Sequence, residues 1–228
     1  MNITEFIISA FINLKQKHRF FVSEADFQAS FTWELAQAFH DRPDVKIYRE
    51  FPVRVYDTRW YTIYIDILVI ANGQRFPIEL KYKTNTIDSD ALYEETGIPI
   101  RDILKPQGAE DEGSYDCWKD ISRIEKLVNI GFAHSGIFIC IANDKYYWNG
   151  NCGESTLGYA FRMNPGHKYG GEYNWNLANC ANPEKMLTAR PNLHIMNDYE
   201  FAWQDFYDIQ AQNGLFKFLL IKIPSKEE

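Results

Sequence analysis

A chain of 228 residues, 46% hydrophobic and 24% charged, has the composition of a globular protein and not of a disordered or fibrous one. Its length suits one large domain, whose apolar core needs neither disulfides nor a structural metal. The net charge of −7 is concentrated: residues 85–116 carry nine acidic side chains against Arg101 and Lys105, so the remainder is neutral and the low pI neither favours nor excludes a nucleic-acid partner.

Four cysteines (Cys117, Cys140, Cys152, Cys180) lie far apart with no C-x-x-C pair. That spacing fits neither a zinc site nor a dense disulfide framework and suits a reducing compartment. The apolar run from Ile3 to Leu14 is marked by Glu5 instead of a basic flank and is short of the ~20 residues a membrane span needs. The expectation is a cytoplasmic protein with no membrane partner.

In chain order, Ser23 is a good N-cap, and the acidic residues after it suit a first helical turn. Phe27, Phe31, Leu35 and Ala38 then recur at helical spacing, and Pro43 is expected to end the helix. Three strands follow. Val45 to Val55 alternates, with Val45, Ile47, Phe51, Val53 and Val55 on one face. In Thr62 to Ala71, Ile63, Ile65, Ile67 and Val69 line one face and Tyr64, Leu68 and Ile70 the other, as in a strand inside a layered α/β structure. Gln74 to Tyr82 is joined to it by Asn72-Gly73, the strongest short hairpin signal.

The acidic segment 85–116 reads as loop or irregular helix, containing Pro99, Pro106 and three glycines. Helical spacing returns from Tyr115 to Asn129, and Gly136 to Ala142 is a short apolar run suited to a buried strand. A helix between the third and fourth strands predicts that these two lie parallel. Beyond Asn143 periodicity weakens. Tyr199 to Phe206 and Gly214 to Ile223 are expected to be two more strands, and the aromatic residues between 146 and 175 mostly core. The chain reads as one domain, 1–228, with a core at 23–143 and an elaboration at 144–228.

The hairpin permits a register argument. With Asn72 and Gly73 central to a type I′ turn, Ala71 pairs with Gln74, and the same count sets Asp66 opposite Glu79. Their Cα atoms would be ~4.5 Å apart, and Lys81, two residues on, would share the face. Two such carboxylates repel by roughly 3 kcal/mol at an effective dielectric of ~20. Lys81 leaves the trio at −1, and a divalent cation reverses the balance; oxygen ligands of this kind suit Mg²⁺ or Mn²⁺. Pro77 requires either that the Gly136 strand pair only beyond it, or that a bulge shift the register.

Asp66, a twelve-residue gap, then Glu79-Leu80-Lys81, resembles the PD-(D/E)XK nuclease signature. The order αβββαβ over residues 23–143 is similar to that of the restriction endonuclease-like superfamily. Ile65 stands where the name-giving proline would be. The resemblance implies an α/β fold whose mixed central sheet is flanked by helices, with a β-containing C-terminal elaboration. It also implies a Mg²⁺-dependent (endo)deoxyribonuclease that hydrolyses phosphodiester bonds. Asp66 and Glu79 would hold the metal with the Leu80 carbonyl, and Lys81 would orient or deprotonate water. Many members add a glutamate from the first helix. Glu24, about 20° from Phe31 on the helical wheel, is chosen over Glu34, about 60° off on the other side.

Gln28, Lys83, Lys119 and Arg123 are candidate contacts to the nucleic acid. Plainer readings stand beside these. Asp66, Glu79 and Lys81 suit a structural ion-pair cluster, Glu24 a helix-dipole partner, and Asp116, Lys119, Asp120 and Arg123 a solvated helix face. The rival function is an inactive nuclease-like module that binds nucleic acid or protein. A homodimer is left open.

Overall fold

Asn2 caps the first helix, its side-chain oxygen accepting the backbone N–H of Thr4 at 3.0 Å and that of Glu5. From there the computed structural model, which describes residues 2–97, 104–149, 153–166 and 168–226, runs through helices α1 (Ile3–Lys17) and α2 (Glu24–Ala38) into three strands, β1 (Lys46–Tyr56), β2 (Trp60–Ala71) and β3 (Gln74–Lys83). Helices α3 (Ser89–Thr96) and α4 (Glu110–Asn129) precede β4 (Gly136–Ala142). The last third holds α5 (Tyr146–Asn149), β5 (Lys168–Tyr173), α6 (Pro183–Ala189), β6 (Leu193–Glu200), β7 (Gln204–Asp208) and β8 (Leu215–Ile223).

The protein is α/β, with a mixed six-stranded sheet in the order β1-β2-β3-β4-β8-β7 and a separate β5-β6 ribbon. β3 and β4 are parallel, and the other neighbours in the sheet antiparallel. α1 and α2 cover one face, where Phe11 of α1 meets Phe31 of α2 at 5.8 Å and Phe218 of β8 at 5.2 Å. α4 and the β5-β6 ribbon cover the other. There Trp118 is fully buried, its ring 4.7 Å from those of Tyr173 and Phe201, so the tail aromatics extend the core. Among the described residues no helix is long and apolar enough to cross a membrane.

Several expectations hold locally. Ser23 caps α2, its hydroxyl accepting the Asp26 N–H at 3.1 Å. Asn72 and Gly73 both have positive φ, 53° and 76°, as the tight β2–β3 reversal requires. Pro77 is tolerated because β4 pairs with β3 only from Ile78 onward, which is the first of its two explanations. Gly136 lies under Pro77: a Cβ there would stand 2.2 Å from Ile124 Cγ2 and 3.0 Å from the Pro77 carbonyl oxygen.

Others need correction. α2 stops at Ala38, well before Pro43, because the chain turns through Phe39 to Arg42. α4 begins at Glu110 and not Tyr115: Glu110, Asp111 and Glu112 favour the positive end of the helix dipole, although Ala109 offers no side-chain cap. The acidic segment therefore contains α3 and the start of α4, while its residues 98–103 lie outside the described residues, as does Cys152. The predicted strand Tyr199–Phe206 is two strands in different sheets, β6 and β7, with Phe201 of the intervening turn buried against Trp118. β8 and β7, from the C-terminal elaboration, complete the central sheet.

The faces of β1 and β2 also differ from the simple alternation. Phe51, Val53, Val55, Ile63 and Ile65 pack with the α4 core, whereas Val45, Ile47, Ile67 and Val69 pack with the α1–α2 core. The crossover falls where Glu50 adopts φ 50°, a left-handed conformation that kinks an otherwise regular ladder. Arg49 faces Ile67 and Phe51 faces Ile65, so Glu50 stands across from Asp66.

Candidate active site

The β2–β3 ladder runs in the expected register as far as Ile67 opposite Ile78 and stops there. Beyond it the strands part, and side chains take over the pairing. Asp66 turns its Oδ2 into the gap and accepts the Leu80 backbone N–H at 2.7 Å. Asp66 and Glu79 are thus not a ladder pair, because the Asp66 carboxylate replaces the backbone partner of β3. A further acceptor comes from Glu24 at the start of α2, whose Oε2 receives the Tyr82 N–H at 2.9 Å. Tyr82 fixes that helix end: its hydroxyl donates to the Phe21 carbonyl at 2.7 Å and accepts the Phe21 N–H at 3.2 Å.

A pocket of about 300 Å³ opens here, lined by Glu24, Ala25, Gln28, Glu50, Asp66 and Leu80. Below it, on the α4 side, Glu79 and Lys81 follow the alternation of β3, beside Phe138 and Cys140 of β4. The Lys81 ammonium is 2.6 Å from Asp120 Oδ2, 4.0 Å from Glu24 Oε1, and donates to the Leu80 carbonyl at 3.1 Å. Asp120 also holds the Arg123 guanidinium at 2.9 Å.

Burial sets the electrostatics. Desolvation raises the Asp66 pKa to about 6, partly opposed by the Lys81 charge and by hydrogen bonds from Leu80 and Glu79. Glu79, 1% exposed, is pushed well above the usual carboxylate range by burial and by the charges of Asp120 and Asp66. Its Oε1 has no hydrogen-bond partner among the described residues. For Lys81 burial acts downward, but Asp120, Glu24 and Asp66 outweigh it, and the ammonium titrates well above its ordinary value.

The structure thus brings Asp66, Glu79, Leu80, Lys81 and Glu24 together. Glu34, the rival helix carboxylate, is elsewhere, with both its oxygens 2.7 Å from the Lys17 ammonium. Gln28 is buried and committed: its amide nitrogen donates to Glu50 Oε1 at 2.7 Å and to the Asp66 carbonyl at 2.8 Å, while its oxygen accepts from Arg49 at 2.6 Å. It is a strut between α2 and the strands, and it lines the pocket beside Glu24 and Asp66. Lys83 continues the Lys81 face toward the start of α4, its Nζ 3.5 Å from where a Cβ on Gly113 would stand. Lys119 is partly exposed, one residue before Asp120. Arg123 is tied to Asp120, and a solvated face does not describe this stretch, since Asp120 is only 2% exposed.

Two residues escape the sequence argument. Glu50 becomes visible only once the β1–β2 register is known, and Asp120 only once α4 is seated on β3. The Leu80 carbonyl, an expected metal ligand, is engaged by its own neighbour's ammonium. A larger cleft of about 430 Å³ lies by Asn2, Asn72 and Ile223, but its Glu5 and Lys222 neutralise each other at 2.6 Å.

Among the described residues no three His, Cys, Asp or Glu side chains are grouped to hold a metal ion by themselves. The donor chemistry nevertheless fits a hard cation: Asp66 and Glu79 offer carboxylate oxygens, and the buried Glu79 Oε1 lacks the hydrogen bond that burial ordinarily demands. Compared with known proteins, the chain matches no family model, no curated protein and no solved structure.

Proposed function

We propose that this protein is a divalent-metal-dependent nuclease of the PD-(D/E)XK type, on a restriction endonuclease-like core, acting on DNA. The observation that carries the reading is the gap between β2 and β3. There Asp66 and the buried, incompletely bonded Glu79 meet beside Lys81, with Glu24 delivered from α2. A structural ion-pair cluster needs one carboxylate per cation. Here four carboxyl groups (Glu24, Asp66, Glu79 and Asp120) act on two cations, Lys81 and Arg123.

In this reading Asp66 and Glu79 hold Mg²⁺ or Mn²⁺, with Glu24 at the rim. When bound, the cation supplies charge neutralisation at the phosphate and a lowered pKa for water. Lys81 orients the attacking water and offers positive charge to the phosphate oxygens. Asp120 keeps that ammonium charged, so Lys81 acts first as a donor and electrostatic clamp, and as a base only if the substrate draws it from Asp120.

The second reading, a nuclease-like binding module without activity, is favoured by that same short contact, which occupies Lys81 on the side away from the pocket. Incubation of wild type with plasmid and single-stranded DNA, in Mg²⁺, Mn²⁺ or EDTA, decides between them. Cleavage that requires the cation and disappears in Lys81→Ala and Glu79→Gln, both folded, supports the nuclease. Intact DNA under all conditions supports the binding module.

A further inference from the structure

The outer face of the β1–β2 hairpin belongs to neither core. Val53, Val55, Ile63 and Ile65 point inward and are buried. The alternate positions pair across the ladder as Pro52 with Tyr64, Arg54 with Thr62 and Tyr56 with Trp60, and all six are exposed. Tyr56, Trp60 and Tyr64 are each 59% exposed, on a strand face where short polar side chains would satisfy folding. The rings are pre-arranged: the Tyr56 and Trp60 centroids are 5.3 Å apart, and the Arg54 guanidinium lies 5.3 Å above the Trp60 ring. Between residues 46 and 64 the hairpin carries Lys46, Arg49, Arg54 and Arg59 against Glu50 and Asp57, a local excess of positive charge in a chain of net −7.

This face ends at the candidate site. Tyr64 stands two residues before Asp66 and Pro52 two after Glu50, ~7 Å along each strand, so the aromatic surface runs up to the acidic wall of the pocket.

We infer that this hairpin face holds the substrate of the proposed nuclease, and that this substrate is an unpaired nucleic-acid strand whose bases stack on Tyr64, Trp60 and Tyr56 while Arg54 meets its phosphates. The inference rests on the nuclease reading and narrows it. A duplex hides its base faces, so exposed rings on a sheet gain little from it, whereas an unpaired strand offers a π-face at every base. Duplex affinity depends on neutralising many phosphates, and the few cations here, next to an acidic pocket, are poorly suited to that.

The test is fluorescence anisotropy in EDTA, where no cleavage occurs. Labelled single-stranded DNA, single-stranded RNA and duplex DNA of equal length are titrated with wild type, Trp60→Ala, Tyr64→Leu, Tyr64→Phe and Lys81→Ala. Wild type should bind the single strands more tightly than the duplex. Trp60→Ala and Tyr64→Leu should each weaken that binding about tenfold or more, with Tyr64→Phe close to wild type. Tighter binding of both single strands than of the duplex supports stacking, and a preference between the two names the natural sugar. Duplex preference, or unchanged affinity in Trp60→Ala and Tyr64→Leu, overturns the inference. So does sedimentation showing a wild-type dimer that these variants dissolve, because the rings then cover a second copy. The two readings fail separately: strand binding with no cleavage in any cation removes the nuclease, while cleavage with unaltered binding in the ring variants removes this surface.

Discussion

The ammonium of Lys81 on β3 is 2.6 Å from Oδ2 of Asp120 on α4, and both side chains are largely out of solvent. Removing one partner of a buried pair leaves an uncompensated charge, which costs about 3–5 kcal/mol. Asp120→Ala should therefore lose stability on that scale in urea denaturation, while Asp120→Asn, which still accepts a hydrogen bond, should lose less. A loss under about 1 kcal/mol in Asp120→Ala would show the pair to be unimportant for folding.

In the proposed nuclease, Glu79 sets function against stability. Its buried Oε1 lacks a partner, and its charge is opposed by those of Asp120 and Asp66. Glu79→Gln removes the ionisable group at nearly constant shape. Without divalent cations it should raise the melting temperature, because burial and the charges of Asp120 and Asp66 no longer act against an ionisable group at this position. In the same protein, metal-dependent cleavage should vanish. A melting temperature below that of wild type would contradict the electrostatic account.

Asp66 predicts a pH dependence of definite sign. Its pKa is raised by burial from 3.8 to about 6. Below pH ~4 the group is neutral in both folded and unfolded chains and costs nothing. As pH rises through 4–6 the unfolded chain ionises first, so stability falls, and the full penalty is present above pH ~6. At about 1.4 kcal/mol per pKa unit the penalty is at most about 3 kcal/mol. The difference between Asp66→Asn and wild type, followed by thermal melts from pH 4 to 7.5, should grow in favour of the variant. Mg²⁺ or Mn²⁺ at pH 7.5 should raise the wild-type melting temperature and leave Asp66→Asn unmoved.

Gly136 admits no side chain. An added Cβ would fall 2.2 Å from Ile124 Cγ2 and 3.0 Å from the backbone oxygen of Pro77. Gly136→Ala must push α4 away from the start of β4, with a loss of about 1–3 kcal/mol by chemical denaturation. Combined with Ile124→Ala, the total loss should be smaller than the sum of the single losses, because the two substitutions share one space.

What the sequence discloses is local. Asn72-Gly73 has a backbone demand that few dipeptides meet, and from it the count to Ile67–Ile78 follows. The strongly apolar Gly136–Ala142 declares itself as an interior strand. The parting of β2 from β3 is not local: it depends on Asp66 bonding to Leu80, and no periodicity distinguishes that from one more ladder pair. Glu50 carries no mark of its positive φ, so an unbroken alternation from Val45 to Val55 hides a change of core. Asp120 looks like a surface charge on α4 until Lys81 is placed beneath it. The strand predicted through Tyr199–Phe206 failed because Phe201 and Trp203, apolar like their neighbours, fill the turn between two sheets.

β4 is buried along its whole length, with β3 on one side and β8 on the other. A fragment ending near Asn143 would turn this apolar strand into an open edge, a template for aggregation. The candidate site lies before Gly136, yet a minimal fragment carrying it cannot end after β4 without exposing that strand. Truncations of this scaffold should leave β8 in place beside β4.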